Sequence, residues 1–213
     1  MKFNRHYITS RGLHLNYSII LDMVEKNSHV LDLGCGDGTL LKLLKQEKNV
    51  TGSGIEISQD KIIECLSKGL SAVQGNIDEG LRQFKSKSYD YVILNQTLQS
   101  TNNPQYVLDE MLRVGKKCIV SFPNFAYWRV RLNYCLTGRM PKSRVLPFEW
   151  YNTPNIHLLT VNDFFDFAKK HNIKILKSIY MSKAQIKKFP LTKTLPNLLA
   201  EEVIFVISRE KNE

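Results

Sequence analysis

The stretch from Val30 to Leu40, VLDLGCGDGTL, holds the residues best suited to chemistry. An apolar run carrying Asp32 leads into three glycines, Gly34, Gly36 and Gly38, set around Cys35 and Asp37. Glycine serves where the backbone turns sharply and must lie against a ligand with no Cβ in between. A strand that enters such a loop and opens a helix aims backbone N–H groups at the polar part of a nucleotide-like molecule. The spacing discriminates among such molecules. Dinucleotide sites use G-x-G-x-x-G with a pyrophosphate at the helix N-terminus, whereas here the order is G-x-G-x-G, with Asp32 two residues before Gly34. A carboxylate there would repel a pyrophosphate but can hold the ammonium of a methionine moiety. A second acid, Glu56, ends the next apolar run, TGSGIEIS. It falls near the ~20-residue offset at which a carboxylate grips a ribose diol, where each charge-assisted hydrogen bond contributes roughly 1.5–3 kcal/mol. A tight strand–helix turn with no ligand is the plainer alternative; the agreement of strand, glycines and both acids weighs against it.

These residues need a frame that ends several strands at one edge. Short apolar runs alternate with amphipathic ones, the pattern of a parallel sheet covered on both faces. Strands are expected at His29–Leu33, Val50–Ile55, Ser71–Val73, Tyr89–Leu94 and Cys118–Phe122, with a final pair at Ile173–Tyr180 and Val203–Ser208. Helices are expected at Leu15–Val24, Thr39–Gln46, from N-cap Ser58 to Lys68, Pro104–Arg113, Ala126–Leu136, and from N-cap Thr160 to Lys170. Lys183–Leu199 reads as a long basic loop. The expectation is a doubly wound, mostly parallel α/β sheet of seven strands in a single domain. Residues 1–27 would be an N-terminal helical lid, 28–122 the cofactor-binding half, and 123–213 the substrate or partner half.

Composition narrows the classes. The chain has 213 residues, a net charge of +10 and 43% hydrophobic residues, enough for one substantial core. No apolar run reaches the ~18–20 residues that span a bilayer. The first residues lack the apolar block and small-residue site of a leader. The four cysteines, Cys35, Cys65, Cys118 and Cys135, have no C-x-x-C spacing. That pattern points away from zinc or any other metal and toward reduced thiols, so a cytoplasmic protein is expected. Residues 1–105 carry 12 Lys/Arg against 11 Asp/Glu, and residues 106–213 carry 18 against 9. The basic excess therefore lies outside the glycine loop, either as a solvated surface or as a docking surface for an acidic partner or anionic substrate. Nucleic acid is disfavoured, because no base-reading signature and no N-P-P-[YF] pattern accompanies the charge.

Taken together, residues 30–122 resemble the class I S-adenosylmethionine-dependent methyltransferases, with a Rossmann-like fold. The resemblance implies Asp32, Gly34 and Gly36 along the methionine and ribose of S-adenosylmethionine or S-adenosylhomocysteine, with Cys35 and Asp37 completing the loop. It implies Glu56 on the ribose hydroxyls, Ile57 against adenine, and Asn76 with Ile77 near the adenine amine. Many members carry an acid where Asn76 stands; its side-chain carbonyl can still accept, without the charge. Asn95, after the fourth strand in YVILNQTLQS, falls where such enzymes place groups facing cofactor and substrate.

A narrower resemblance rests on VLDLGCGDGTLL, LDEMLRVGKKCIVSFPNFAYWR, GRMP and WYNTPNIH, with weaker likeness at Leu195–Leu199. These are similar to the methionine-biosynthesis MetW family, over about Ser28 to Thr160. The resemblance implies a methyltransferase-like fold tied to homoserine O-acyltransferase as partner, with no established methyl acceptor. Beside it stands an active methyltransferase on a small cytosolic molecule, in which Asn95, Tyr151 and His157 surround the acceptor. His157 reads either as a general base titrating near neutrality or as a structural histidine. The aromatics Phe125, Tyr127 and Trp128 read as core or interface sooner than as a stacking platform. Arg129 and Arg131 could receive a carboxylate or face water.

Overall fold

A computed structural model describes residues 14–143, 145–182 and 194–209. The elements run α1 (His14–Met23), β1 (His29–Leu33), α2 (Thr39–Lys48), β2 (Thr51–Glu56), α3 (Gln59–Ser67), β3 (Ser71–Gln74), β4 (Tyr89–Asn95), α4 (Pro104–Val114), β5 (Gly115–Pro123), α5 (Trp128–Thr137), α6 (Val161–Lys170), β6 (Ile173–Met181), α7 (Pro196–Leu199) and β7 (Glu202–Arg209). One seven-stranded sheet forms in the order β3-β2-β1-β4-β5-β7-β6. β1 pairs parallel with β2 and β4, β2 pairs parallel with β3, and β6 with β7 is antiparallel. Helices alternate with these strands, so the doubly wound α/β expectation holds.

The chain divides into two compact units, Met1–Asn95 with Gln105–Ile119, and Gln96–Pro104 with Val120–Glu213. In the first, β1 and β4 are buried almost end to end, from Val30 to Leu33 and from Tyr91 to Leu94. This is why they read as continuous apolar runs and not as alternating ones. α2 lays Leu40, Leu41 and Leu44 inward, and α4 does so with Val107, Leu108, Met111 and Leu112, the i, i+3, i+4 spacing of a one-sided helix. In the second unit, Phe122, Phe164 and Phe205 form an aromatic core, with Phe164 and Phe205 stacked at 4.8 Å and 6°. Thr160 caps α6 through a reciprocal pair with Asp163, each side chain accepting from the other residue's backbone N–H.

Three local expectations needed correction. Ser58 occupies the N-cap position of α3, but its side chain makes no cap bond; its N–H is drawn instead to the Glu56 carboxylate at 3.0 Å. The helix expected from Ala126 begins only at Trp128, because Asn124 takes the chain out of strand β5 first. Asn124 is buried, accepts from the Ala126 N–H at 3.1 Å and donates to the carbonyls of Asn197 and Ala200 at 3.0 and 2.8 Å. The last part of the expected loop Lys183–Leu199 is helical, since Pro196 opens α7; residues 183–193 lie outside the described residues.

Candidate functional site

Parallel pairing sets the site's register. Leu33 pairs with Ile55 on one side and Leu94 on the other, so Gly34 leaves the sheet between Glu56 and Asn95. Glu56 pairs with Gln74, two residues before Asn76. Strand order reverses at β1, the switch point where open α/β sheets bind ligands outside the carboxyl ends of their strands.

The glycine loop is fastened to β2. Gly34 and Cys35 both donate to the Ile55 carbonyl, at 2.8 and 3.1 Å. Glu56 folds back over the loop: one carboxylate oxygen accepts from Gly36 at 2.9 Å, and the other from Ile57 and Ser58 at 2.9 and 3.0 Å. A carboxylate has about four acceptor positions, so Glu56 would share itself between the loop and any ribose hydroxyl. The glycines differ in their duties. A Cβ on Gly38 would stand 2.5 Å from the Leu70 side chain and 2.8 Å from Cys65 Sγ, so that glycine lets α2 approach α3. Gly36, at φ +55°, has nothing within 4 Å of such a Cβ. It borders open space.

Asp32, at the carboxyl end of β1 two residues before Gly34, is buried at 2% exposure. Burial first, and the charge of Glu56 second, push its pKa up to about 7. A buried acid followed by loop backbone that borders open space suits a cationic group better than a phosphate. The residues therefore fit an aminoacyl sulfonium. Asp37 has another task. One oxygen accepts from the Thr39 N–H at 3.1 Å, and the other from the Thr39 hydroxyl and Lys68 Nζ, both at 2.7 Å. Burial alone would raise Asp37, but the bonds from Lys68 and Thr39 hold it down to about 2. The Cys35 thiol lies 4.0 Å from that of Cys65 in a cluster with Leu41 and Leu70, and burial pushes it far up. Its side chain belongs to the packed underside of the loop.

Ile57 is 66% exposed, an apolar surface left in water beside the carboxylate that precedes it. Asn76 caps the turn Ile77–Glu79, its carbonyl accepting from the Asp78 N–H at 3.0 Å. The lone pair imagined for adenine is thus partly committed. Asn95 closes β4. Tyr17, on α1, was missed by the sequence reading. Burial pushes its phenol up to about 12, with the charges of Asp32 and Asp37 adding to the rise. α1, in the segment expected as an N-terminal lid, thus carries a phenol that feels the charge of both acids; residues 1–13 lie outside the described residues. Nothing in HLNYSIILDM distinguishes this tyrosine from an ordinary helix-face residue.

The remaining two candidates lie in the second unit. Tyr151 is 69% exposed and packs edge-on against Trp150. His157 is tied through its backbone: its N–H and that of Ile156 donate to the Gln99 carbonyl at 3.0 and 2.8 Å. Its Nε2 is buried without a partner, and so is the side-chain oxygen of Gln99. Gln99 lies within the YVILNQTLQS stretch but was not singled out. Gln96, three residues before Gln99, has φ +56°, a left-handed conformation that non-glycine residues rarely adopt. It is held there by the Ser121 carbonyl and hydroxyl, at 3.1 and 3.0 Å, and by its amide on Glu202. The four cysteines are free. Among the described residues no group of three His, Cys, Asp or Glu is placed to hold a metal, and no helix is long and apolar enough to cross a membrane.

Comparison with known proteins accords with this geometry. Residues 14–207 match the family model described as methionine biosynthesis protein MetW. The bifunctional methionine biosynthesis protein MetXA/MetW of Rhodopirellula baltica is 34% identical over 207 residues, covering 93% of this chain and 33% of that protein. The chain thus spans about a third of the length of this curated relative. Among solved structures, phosphoethanolamine N-methyltransferase 2 of Haemonchus contortus, in complex with S-adenosyl-L-methionine, superposes with a TM-score of 0.67 at 13% identity, covering 97% of this chain and 55% of that one. The [4+2]-cyclase SpnF superposes at 0.65 and 12% identity, covering 92% and 81%. At such identities the likeness is one of fold, the Rossmann-like methyltransferase fold. SpnF carries that fold under the name of a cyclase.

Proposed function

This chain belongs to the methionine biosynthesis protein MetW family, and from that premise we propose that it is a cytoplasmic S-adenosylmethionine- or S-adenosylhomocysteine-binding protein that supports homoserine O-acyltransferase. The observation that carries the ligand is the buried Asp32 carboxylate, two residues before the loop whose Gly36 borders open space. Asp32 would hold the ammonium, with Gly34 and Gly36 along the chain of the ligand. Glu56 would take the ribose hydroxyls, Ile57 would cover adenine, and Asn76 with Ile77 would meet its amine. Asn95, Cys35 and Asp37 would frame the slot, Asp37 through the loop it anchors with Lys68. Bound S-adenosylmethionine supplies a sulfonium with an electrophilic methyl group.

The partner is supported by the Rhodopirellula relative, whose name joins MetXA and MetW in one protein. A metabolite from the end of a pathway, read by a protein of that pathway, acts as feedback if it favours one conformation over another. Calorimetric titration with S-adenosylmethionine and S-adenosylhomocysteine, with and without the acyltransferase, tests both halves. Absence of binding removes the ligand. Full acyltransferase activity, indifferent to this protein, removes the partner.

A second reading, methyl transfer to a small cytosolic molecule, is favoured by one observation: the buried, unpartnered His157 Nε2 and Gln99 oxygen. Such groups are rare and call for a ligand or an ordered water. His157 would then accept a proton, with Tyr151 orienting the acceptor. Radiolabelled S-adenosylmethionine in cell extract should give a labelled product that vanishes with Glu56→Ala. Cofactor binding without transfer to any fraction excludes it.

A further inference from the structure

The second unit leaves an unusual amount of apolar surface in water. Of the sixteen exposed large apolar side chains among the described residues, ten lie between 128 and 158. On α5 only Val130 is buried, while Leu132, Tyr134 and Leu136 are exposed. A helix with this many apolar residues and almost no inward face among the described residues suits a surface that another protein covers. The following irregular segment adds Phe148, Trp150 and Leu158, with Trp150 and Leu136 the most exposed at 75% and 74%. Phe125, Met140, Phe148, Trp150 and Leu158 line a groove of about 50 Å³. Small-molecule sites are typically ~300–1,000 Å³, so this groove suits part of one side chain and not a substrate. Clustered exposed aromatics of this kind mark protein interfaces.

Charge selects the occupant. Residues 128–158 carry Arg129, Arg131, Arg139, Lys142 and Arg144 against Glu149 alone. A two-fold pairing with a second copy would set this basic segment against itself. A different chain with an acidic rim around an apolar centre fits instead. We propose that the surface formed by α5 with residues 139–143 and 145–158 is the docking face for homoserine O-acyltransferase. This rests on the partner reading above and assigns that partner a place.

The test is titration of the full chain with the homoserine O-acyltransferase of the same organism, using wild type, Leu136→Glu, Trp150→Glu and the milder Trp150→Ser. Leu66→Glu, at an exposed position of α3 in the other unit, is the control. S-adenosylhomocysteine affinity and thermal midpoint report folding for each variant. The Glu variants should weaken the complex by ~30-fold or more, the scale of a hot-spot residue, and Trp150→Ser should weaken it measurably. Leu66→Glu should bind as wild type does. Wild type failing to bind the acyltransferase overturns the partner reading itself. Wild-type binding that survives all three variants overturns only the surface. A dimer of the chain alone, dissolved by Leu136→Glu, overturns the choice of occupant.

Discussion

Titration of S-adenosylmethionine between about pH 5 and pH 7 should show affinity climbing as Asp32 loses its proton. The carboxyl sits near 7, raised by burial first and by Glu56 second. A cationic ligand needs it ionised, and the ligand's own α-amino group, with a pKa of about 7.7–8.0, stays charged across this window. The ionised fraction is about one in a hundred at pH 5 and about one half at pH 7, so affinity should rise ~50-fold, or ~2.3 kcal/mol. Calorimetry in two buffers of different ionisation enthalpy reads the proton directly. Release should approach about one proton per ligand near pH 5 and about half a proton at pH 7. Adenosine, lacking the ammonium, should show no slope, and Asp32→Asn should bind more weakly with no slope. A flat wild-type profile, or a slope that persists in Asp32→Asn, would refute the placement of the ammonium.

The same shift carries a sign for stability. Because the folded carboxyl keeps its proton to higher pH than the unfolded one, the folded state loses stability as pH rises from the ordinary carboxylate range through about 7. At about 1.4 kcal/mol per unit, the loss approaches ~4 kcal/mol. Asp32→Asn should therefore raise the thermal midpoint of the ligand-free protein above pH 7, and the gain should vanish near pH 4. One substitution thus stabilises the fold and weakens the site.

Three further outcomes are expected. Gly36→Ala and Gly69→Ala share a positive φ, +55° and +70°, and an unobstructed Cβ. Both should cost about 1 kcal/mol in urea unfolding, but only Gly36→Ala should lose ligand affinity; equal affinities would remove Gly36 from the slot. Thr160→Ala, which breaks the cap on α6, should cost about 1 kcal/mol in thermal or urea unfolding without touching ligand affinity. Lys68→Met should let Asp37 rise from about 2 toward the ordinary carboxylate range in an NMR titration. The share of stability that Asp37 contributes above its unfolded pKa, lost in the native protein only as pH falls toward 2, should shrink with it.

The strand edges were legible because periodicity and burial coincide there: β1 was expected at His29–Leu33 and lies at His29–Leu33, and Thr160 was recognised as a cap from its residue type and the acid three places on. Local chemistry decides such features, and local chemistry is what a sequence displays. The glycine loop was legible as a loop, but not its division of labour. Gly36 borders open space and Gly38 is wedged against Leu70 and Cys65, a difference set by residues some thirty places away. Tyr17, Gln96 and Gln99 escaped for the same reason. Their significance lies in what surrounds them, namely two distant acids for Tyr17, a strained backbone for Gln96, and a buried oxygen with no donor for Gln99.

A ligand that is read, and not consumed, must leave a mark on the protein that holds it. The first unit has the parts for such a mark. In the ligand-free state Asp32 is half protonated near neutrality, while the Glu56 carboxylate accepts from three backbone N–H groups, that of Gly36 in the loop and those of Ile57 and Ser58 just after β2. An arriving ammonium makes Asp32 an anion, and a ribose diol competes with Gly36, Ile57 and Ser58 for Glu56. Both changes fall on the loop, and the first also changes the field at Tyr17, whose phenol feels Asp32. The charge change at Asp32 and the loosening at Glu56 therefore arise from the same binding event, with α1 positioned to report it. Tyr17→Phe tests this coupling: ligand affinity should change little, whereas ligand-dependent protection of α1 in hydrogen exchange should fall. Undiminished protection would mean that the helix senses the ligand by some route other than this phenol.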